Sequence, residues 1–247
     1  MSTTTYLITG SSRSLGLGYL RQLLISSPSI RVIAAVRDPS NASQLDAAVS
    51  EFGKDRVYVL RCDVTDPKST QEAARTLESS GFLMDGVLDA LLANAGVLGG
   101  GMKTASHDEE DLTYCLSANL YGVINTVNAF LPFLRKGSKK QIFVTSSIVG
   151  RIGVDSPLAQ APYAAAYAIS KGAVNMYTTK LAKELADDVF TVIPFHPGYV
   201  KTDMNGNVNG DLETDEATES ATKNIFLRVT KEDNGKFLDW DGKELAW

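Results

Sequence analysis

Short β-prone runs alternate with helical stretches along the 247-residue chain, and this alternation constrains the fold more than any other feature. Such alternation is typical of a parallel sheet with helices on both faces. The length suits a single domain, and no linker-like segment divides residues 1–247. The sequence therefore predicts an α/β fold with a doubly wound parallel sheet of about seven strands. The predicted strands are Tyr6–Thr9, Arg31–Val36, Arg56–Arg61, Leu88–Ala93, Gln141–Thr145, Thr191–Phe195 and Lys236–Trp240.

Two sequence signals mark the beginnings of helices. Asp66 is followed by Pro67, so an acidic capping residue precedes a proline that suits the first helical position. Ser106 and Glu109 have the spacing of a capping box, in which each side chain bonds the backbone N–H of the other residue. We therefore expect a helix to begin at each of these two places.

A glycine-bearing turn follows the first predicted strand. The segment Gly10-Ser11-Ser12-Arg13-Ser14-Leu15-Gly16 leads into Leu17–Ser27, where apolar residues have helical spacing. A strand, a glycine turn and a helix form the context that a dinucleotide-phosphate loop requires. The glycines let backbone N–H groups approach the pyrophosphate, which then lies at the positive end of the helix. By itself the turn is equally consistent with an ordinary strand-to-helix connection.

Tyr167 and Lys171 lie four residues apart in a stretch that is otherwise typical of a helix. Residues at this spacing share one helical face, so the phenol and the ammonium can act at one site. A free phenol has a pKa near ~10, and lowering it to about 7 requires ~4 kcal/mol, which a nearby cation favours. The pair alone is also typical of a helix surface. Tyr163 is a second candidate, but the residue four positions after it is a tyrosine and not a lysine.

Further motifs follow in order, and together with the two above they resemble the single-domain branch of the short-chain dehydrogenase/reductase family. The resemblance extends from about Thr5 to Trp240 and implies a Rossmann fold. The insert before Tyr167 and residues 237–247 also resemble fungal norsolorinic-acid-ketoreductase-like and C-factor-like proteins. The family's motifs correspond here to Thr9-Gly10-x-x-x-Ser14-x-Gly16, Asn94-Ala95-Gly96, Asn119, Ser146-Ser147-x-x-Gly150, Tyr167-x-x-x-Lys171 and Pro197-Gly198-x-Val200-x-Thr202.

The resemblance implies an oxidoreductase that transfers a hydride between a nicotinamide and a carbonyl or alcohol carbon. Tyr167 is then the general acid or base, and Ser147 hydrogen-bonds the carbonyl oxygen where charge develops. Lys171 lowers the pKa of the phenol and binds the nicotinamide ribose, while Asn119 holds a water that connects Lys171 to solvent. Taken alone, Ser147 would be a strand-end serine and Asn119 a packing amide. The residues implied in cofactor binding are Gly10, Ser12, Arg13, Ser14, Leu15, Gly16, Arg37, Asp63, Val64, Asn94, Ala95, Gly96, Tyr167, Lys171, Pro197, Gly198, Val200 and Thr202.

The end of the second predicted strand bears on the choice between NADP(H) and NAD(H). An acid there would accept the ribose 2′-hydroxyl of NAD, but position 36 is Val. Arg37 follows at once, Arg13 of the glycine turn can approach the same corner, and two guanidinium groups suit a 2′-phosphate. Asp38 is the opposing residue, since it can pair with Arg37 or serve NAD itself. The pattern favours NADP(H) over NAD(H).

The chain departs from the family pattern at two places. Ser14 stands where the family usually has glycine, so the phosphate loop is bulkier, and we expect an adjusted fit rather than lost cofactor binding. Tyr167 lies 20 residues after Ser147, a longer gap than most single-domain relatives have. The extra residues 155–162 contain two prolines and are predicted to form a loop.

Composition excludes several classes of protein. The net charge is −5, and Lys and Arg are scattered, which argues against a nucleic-acid partner. No apolar run approaches the ~20 residues of a membrane span, and the N-terminal residues lack a secretory pattern. Cys62 and Cys115 are too few for a disulfide framework or a metal site, and His107 and His196 have no supporting ligands nearby in sequence. We therefore expect a cytoplasmic protein without a metal.

The substrate side is defined only loosely. Candidate pocket walls are mostly apolar, which favours a neutral ketone, aldehyde or secondary alcohol over a carboxylate or phosphate. The Asn- and Gly-rich residues 203–213 precede a helix expected near Thr214, and they are either a mobile substrate loop or an ordinary connection. The candidate walls are Val97–Met102, Ile148–Ile152, Pro157–Pro162, Tyr199 and Met204.

Two further expectations concern function class and assembly. A non-catalytic NADP-binding sensor on the same fold is the alternative to an enzyme, but such a protein does not need the complete Asn, Ser, Tyr and Lys set. An epimerase of the extended branch usually carries a further substrate domain, for which this chain lacks room. The alanine-rich stretch Tyr163–Ala186 leaves apolar residues on several helical faces, which favours a homodimer or homotetramer.

Overall fold

The structure is a computed structural model that describes residues 3–101, 105, 108–152, 164–206 and 210–247, with only the backbone of Asn205. Within these residues eight strands form one sheet. The strands are β1 (Thr4–Thr9), β2 (Ile30–Val36), β3 (Val57–Arg61), β4 (Ala90–Ala93), β5 (Gln141–Thr145), β6 (Thr191–His196), β7 (Phe237–Asp239) and β8 (Glu244–Leu245).

Seven α-helices connect these strands in the described residues. A π-helical turn at Ser117–Tyr121 joins the fourth helix to the fifth without a break. Short 3₁₀ turns follow several strands, including Ile148–Gly150 after β5 and Asp203–Asn205 after β6. The helices are α1 (Ser14–Ser26), α2 (Ser43–Phe52), α3 (Pro67–Ser79), α4 (Glu109–Leu116), α5 (Gly122–Leu134), α6 (Ala165–Glu184) and α7 (Thr214–Ala221).

The strand order is β3-β2-β1-β4-β5-β6-β7-β8, so the sheet winds outward in both directions from β1. The pairs up to β6–β7 are parallel, and β7 and β8 are antiparallel. This arrangement confirms the predicted doubly wound α/β fold. The order in which strands are added to the sheet reverses between β1 and β4. In such sheets, ligands bind in the crevice beyond the carboxyl ends of the strands at that switch point.

Alternating residues of each strand face two separate cores. Leu7 of β1 packs in a cluster with residues of α3, α5 and α6, such as Phe130 and Val174. Its neighbours in sequence, Tyr6 and Ile8, face a second cluster that includes residues of α1 and α7. Because the central strands bury both of their faces, their sequences read as nearly continuous apolar runs, whereas β8 is exposed at Glu244. The two cores hold the carboxyl ends of the strands in a fixed arrangement.

Of the two helix starts predicted from the sequence, one is observed and the other is not. The Asp66 carboxylate accepts a hydrogen bond from the N–H of Lys68 at 2.9 Å, and Pro67 is the first residue of α3. The fourth helix, however, begins at Glu109 and is capped by Asp108, whose carboxylate accepts from the N–H of Asp111 at 2.9 Å. The expected capping box at Ser106 is therefore wrong about where α4 starts, and Ser106 itself lies outside the described residues.

Residues 203–213 are more ordered, where they are described, than their composition suggested. Val200 and Leu212 form a parallel bridge, and the N–H of Lys201 donates to the carbonyl of Leu212 at 3.0 Å. The carbonyl of Tyr199 accepts from the N–H groups of both Asp211 and Leu212. The segment therefore returns to the residues that follow β6, and α7 then begins at Thr214 as expected.

Candidate active site

The phosphate-loop candidate connects β1 to α1, and its two glycines lie where the surrounding chain leaves little space for a side chain. Gly10 has a φ of +69°, in the left-handed region that favours glycine. A Cβ on Gly16 would lie 2.3 Å from the carbonyl oxygen of Gly10 and 2.8 Å from Nδ2 of Asn94. A Cβ on Gly10 would lie 3.0 Å from Cα of Ala95. The two glycines therefore let the loop pack closely against residues 94 and 95, and Arg13, which precedes α1, makes no side-chain capping hydrogen bond. The first N–H groups of α1 thus fit the pyrophosphate of a dinucleotide.

Ser14 explains physically why relatives prefer glycine at its position. Its φ is +46°, so a serine holds a left-handed conformation in the first turn of α1. The hydroxyl of Ser14 donates to Oδ2 of Asp203 at 3.2 Å, and Nε of Arg13 lies 3.4 Å from the same oxygen. The loop after β6 therefore contacts the phosphate-loop candidate directly.

The Asn94-Ala95-Gly96 turn after β4 ties the two sides of the site together. Nδ2 of Asn94 donates to the carbonyl of Thr9 at 3.0 Å, and the Thr9 hydroxyl accepts from the N–H groups of Asn94 and Ala95. A Cβ on Gly96 would lie 2.9 Å from Oδ1 of Asn119 and 3.8 Å from Nζ of Lys171. The turn thus extends from the phosphate loop to the Lys171 ammonium.

The corner expected to distinguish NADP(H) from NAD(H) has a polar cleft. The Asp38 carboxylate is engaged by Ser40, whose N–H and hydroxyl donate to Oδ1 at 3.0 and 2.6 Å. These bonds lower the pKa of Asp38, with smaller contributions from the charges of Arg61 and Arg37. Arg37 is exposed. A cleft of about 240 Å³ is lined by Ser12, Arg13, Asn41, Ala42, Ser43, Gln44 and Asp203.

Asp63 and Val64 lie just after β3, as expected for residues beside an adenine. Oδ1 of Asp63 accepts from the N–H and the hydroxyl of Thr65 at 3.0 and 2.7 Å, which makes an Asx turn. Val64 is buried, and its carbonyl accepts from Nδ2 of Asn125 at 2.9 Å. Both residues therefore have structural roles that do not depend on a ligand.

Ser147, Tyr167 and Lys171 come together beyond the carboxyl end of β5. Ser147 begins the 3₁₀ turn after β5 and is hydrogen-bonded to the Tyr167 hydroxyl. Nζ of Lys171 lies 5.6 Å from the centroid of the Tyr167 ring and donates to the carbonyl of Thr145 at 2.7 Å. Lys171 is only 4% exposed, so its charge has little screening by water.

Burial shifts the pKa values of Tyr167 and Lys171, the two ionisable groups of this cluster, in opposite directions. Desolvation raises the pKa of Tyr167 to about 12, and the hydrogen bond from Ser147 opposes this shift. Desolvation also lowers the pKa of Lys171 to about 8. Both shifts favour the neutral forms of buried groups. The protein surroundings of Tyr167 therefore do not supply the lowered pKa that the sequence argument required.

Asn119 lies in the π-helical turn, and its side chain is held on three sides. Nδ2 donates to the carbonyl of Val97 and to the hydroxyl of Ser170, each at 2.9 Å. Oδ1 accepts from the N–H of Val97 at 2.8 Å. Because both N–H groups of the amide are used, the water expected at Asn119 would have to bind its remaining Oδ1 lone pair or its backbone carbonyl.

The segment after β6 approaches Leu212 closely and contains the residues expected beside the nicotinamide. Gly198, which follows Pro197, has a φ of +89°, and a Cβ there would lie 2.5 Å from Cδ1 of Leu212. Val200 is buried and bridges Leu212, while Thr202 is partly buried. The structure thus brings the expected residues of this loop to the same edge of the sheet as Ser147.

Sequence reasoning missed a buried polar layer beneath the cluster. The Ser146 hydroxyl is hydrogen-bonded to Oδ1 of Asn175 on α6. His196, at the end of β6, is 8% exposed, and burial, with the charges of Arg151 and Lys171, lowers its pKa to about 4. Nδ1 of His196 and Nε of Arg151 are buried without a hydrogen-bond partner among the described residues. Arg151 is also a cation within a wall that the sequence described as mostly apolar.

Several predicted site features lie outside the described residues. These are Met102, His107, Tyr163 and the insert 155–162. The described part of the chain holds no group of three or more His, Cys, Asp or Glu side chains placed to bind a metal ion. No helix within it combines the length and apolar character needed to cross a membrane.

Comparison with known proteins decides the family. A family model described as short chain dehydrogenase matches residues 4–213. This chain is a short-chain dehydrogenase. The resemblance inferred from its motifs is therefore confirmed, and the relatives with similar sequences include fungal oxidoreductases.

The similar proteins place the short-chain dehydrogenase among oxidoreductases. Oxidoreductase BOA17 of Botryotinia fuckeliana (strain B05.10) is 36% identical, over 83% of this chain and 69% of the relative. Short chain dehydrogenase gsfK of Penicillium aethiopicum is 33% identical, over 98% of this chain and 99% of the relative. The crystal structure of NADPH-bound carbonyl reductase from chicken fatty liver superposes with a TM-score of 0.89, at 29% identity and with 100% of both chains covered. The short-chain dehydrogenase is an oxidoreductase of the carbonyl-reductase type.

Proposed function

We propose that this short-chain dehydrogenase is an NADPH-dependent carbonyl reductase that interconverts a neutral ketone or aldehyde and the corresponding alcohol. The convergence of Ser147, Tyr167 and Lys171 at one point beyond β5 carries this proposal. The full-length likeness to an NADPH-bound carbonyl reductase supports it. Residues 1–247 act as one unit in this proposal, and residues 203–213 form the substrate loop.

The cofactor would lie across the switch point between β1 and β4. Gly10, Gly16 and the amino end of α1 would hold the pyrophosphate, because no side chain caps the first N–H groups of that helix. Arg37 and Arg13 would bind the 2′-phosphate, while the Asp38 carboxylate stays with Ser40. Among the other expected contacts, Asp63, Val64 and Asn94 would border the adenosine, and Pro197, Gly198, Val200 and Thr202 the nicotinamide. NADPH supplies the hydride when it is bound.

The protein's part in the reaction is to move a proton and to stabilise charge. Tyr167 would donate its proton to the carbonyl oxygen during reduction, and Ser147 would hydrogen-bond the same oxygen as negative charge develops. The Lys171 ammonium would stabilise the phenolate that remains. Because the pKa of Tyr167 is raised to about 12, mainly by burial, this charge on Lys171 is essential to the proposal.

Charge near the site favours uncharged substrates. A cavity of about 760 Å³ opens beside the segment that follows the Asn94-Ala95-Gly96 turn. The carboxylates that line it outnumber the single cation, Arg151, of the Ile148–Ile152 wall, so they would repel a carboxylate or phosphate substrate. A neutral ketone or aldehyde meets no such penalty. The lining residues are Gly100, Asp108, Glu109, Glu110, Asp111, Thr113 and Tyr114.

The alternative is a non-catalytic NADP-binding sensor with the same fold. Such a protein would keep the phosphate loop but would not need a buried Lys171 beside a tyrosine. Burying an ammonium costs free energy. A buried ammonium is therefore retained more readily where its charge takes part in chemistry. The buried position of Lys171 thus favours the enzyme.

The test is NADPH oxidation with a panel of ketones and aldehydes, comparing the wild-type protein with Tyr167→Phe. The substitution keeps the ring but removes the proton, so turnover should fall by about 10²-fold or more while NADPH binding persists. Tyr163→Phe is the matched control and should retain activity. An inactive Tyr163→Phe enzyme together with an active Tyr167→Phe enzyme would show that the site is misplaced. NADPH binding without oxidation of any substrate would favour the sensor.

We also propose a homodimer or homotetramer built on α6 and the helix that carries Asn119. Large apolar side chains are exposed there, namely Tyr114, Tyr121, Ile169 and Met176, at 47–60%. Light scattering at micromolar concentration tests the assembly, and a mass near the 26.6 kDa of one chain would refute it.

We place the protein in the cytoplasm. Cys62 and Cys115 are both free and buried, which fits a reducing compartment. Microscopy of a fluorescently tagged protein tests this location, and signal confined to a secretory compartment would contradict it.

A further inference from the structure

Three side chains of one continuous helix bind successive backbone groups of residues 97–100. Oδ1 of Asp111 accepts from the N–H of Gly100 at 2.6 Å, and Sγ of Cys115 donates to the carbonyl of Leu98 at 3.6 Å. The Asn119 amide binds both the N–H and the carbonyl of Val97. The three residues are spaced by four, so they lie along one face of α4 and the π-helical turn.

The contact between this face and residues 97–100 is tight. Gly99 has a φ of +84°, and a Cβ there would lie 2.4 Å from Oδ1 of Asp111 and 2.6 Å from Sγ of Cys115. Asp111 is 8% exposed and Cys115 is fully buried. A buried carboxylate is costly unless hydrogen bonds compensate it, and the Gly100 N–H supplies one of them.

Residues 97–100 lie between the reactive cluster and an open cavity. At one end, a Cβ on Gly96 would lie 3.8 Å from Nζ of Lys171. At the other end, Gly100 and Asp111 line the cavity of about 760 Å³. A substrate whose carbonyl reaches Tyr167 would extend past this segment, so its position determines the shape available to the substrate.

We propose that Asp111 and Cys115 are positioning residues that fix residues 97–100 as a wall of the substrate pocket. The proposal rests on the carbonyl-reductase function, since it assigns a specificity role at that same site. Asp111 makes the stronger contact because a charged acceptor binds the Gly100 N–H, whereas a thiol is a weak donor. Neither residue touches the reacting atoms, so both act on how substrates bind rather than on proton transfer.

The test compares Asp111→Ala with Asp111→Asn. Alanine removes the acceptor for the Gly100 N–H, and asparagine keeps an oxygen there. Asp111→Ala should raise the KM for bulky ketones about tenfold, the loss expected for one hydrogen bond to a charged group. Its kcat and its Kd for NADPH should stay within about twofold of wild type, since the cofactor contacts are untouched. Asp111→Asn should restore most of the KM, and Cys115→Ala should have a smaller effect.

Asp66→Ala is the matched control, because the Asp66 carboxylate caps α3 but lies outside the cavity lining and does not bind residues 97–100 among the contacts described. It should lower thermal stability without the change in KM. Hydrogen exchange followed by mass spectrometry gives a readout that needs no substrate. Exchange of the peptide spanning residues 97–101 should rise in Asp111→Ala and remain near wild type in Asp111→Asn.

The possible results distinguish the positioning role of Asp111 from the reductase function. Unchanged exchange at residues 97–101 in Asp111→Ala would overturn the positioning role. Increased exchange with an unchanged KM would also overturn it, because the segment would then not shape the pocket. A wild-type enzyme that oxidises no NADPH with any ketone or aldehyde would count against the reductase function, while the exchange result would still decide whether Asp111 holds the segment.

Discussion

The two halves of the site are built by opposite means. On the β1–β4 side, Gly10 and Gly16 lack side chains and allow chain segments to approach within distances that no Cβ would permit. On the β5–α6 side, buried polar groups are placed by hydrogen bonds between residues far apart in sequence, such as Lys171 to Thr145 and Asn119 to Ser170. The first half is sensitive to added atoms, and the second is sensitive to removed ones.

This difference determines how much function depends on each half. A bare backbone binds phosphate through many N–H groups, so loss of one contact weakens binding in part. A buried proton-transfer cluster depends on the charge state of single groups, so loss of one of them affects the rate severely. Effects should therefore be largest on the β5–α6 side.

Substitution of Lys171 tests that side first. Lys171→Met keeps the length of the side chain without its charge, and kcat should fall about a hundredfold or more. Burial lowers the pKa of Lys171 to about 8, so the ammonium is lost as the pH rises through that value. The value of kcat/KM for NADPH, which reports on the free enzyme, should therefore fall above pH 8.

Lys171→Arg is the control for this pH dependence. An arginine stays charged throughout the accessible range, so whatever activity remains should show no decline near pH 8. A decline at the same pH in this variant would mean that another group titrates there, and the electrostatic role of Lys171 would be wrong.

An intermediate effect is expected at the cofactor corner of the other half. Arg37→Ala should weaken NADPH binding by about 1.5–3 kcal/mol and leave NADH binding nearly unchanged, since only NADPH carries a 2′-phosphate. Fluorescence titration of both cofactors measures this. Arg61→Ala removes an equal charge at the end of the neighbouring strand and should have little effect. Equal losses for NADPH and NADH would mean that Arg37 does not bind the 2′-phosphate.

The smallest effect concerns the conformation of Ser14. Glycine accepts its φ of +46° without steric cost, whereas a side chain there costs about 1 kcal/mol. Ser14→Ala and Ser14→Gly both remove the hydroxyl that bonds Asp203, so their difference isolates the backbone term. In urea denaturation Ser14→Gly should be the more stable of the two by about 1 kcal/mol. The reverse order would show that the left-handed conformation is not strained.

The contrast between the halves also explains what the sequence could predict. The glycine turn and the Asp66–Pro67 cap are local patterns, and both lie where the sequence placed them. The strands were predicted to within a few residues because buried parallel strands are apolar throughout. The short antiparallel β8 was missed, since Glu244–Leu245 has neither the length nor the composition of a core strand.

Features that depend on distant contacts, or on a choice between similar neighbouring residues, could not be predicted from the sequence. Asp108 rather than Ser106 caps α4, and several acidic residues in succession gave no basis for choosing between them. The Asp111 and Cys115 contacts could have been suspected only from their spacing of four residues before Asn119. The contact of Asp203 with Arg13 and Ser14 joins loops about 190 residues apart, and no local pattern encodes it.

The π-helical turn at Ser117–Tyr121 has a consequence for changes in chain length. In a regular α-helix, a stripe of residues spaced by four drifts about 40° at each step. The wider turn reverses part of this drift, so Asp111 and Cys115 face residues 97–100 while Val123 and Val127 of α5 still face the core. The five residues of the π-helical turn advance the chain by about the same angle as four residues of a regular α-helix, so deleting one of them would give a regular helix and leave α5 facing nearly the same way relative to α4. A one-residue deletion at Leu120 or Tyr121 should therefore be better tolerated than one inside α5, which would turn the residues beyond it by about 100° away from the core.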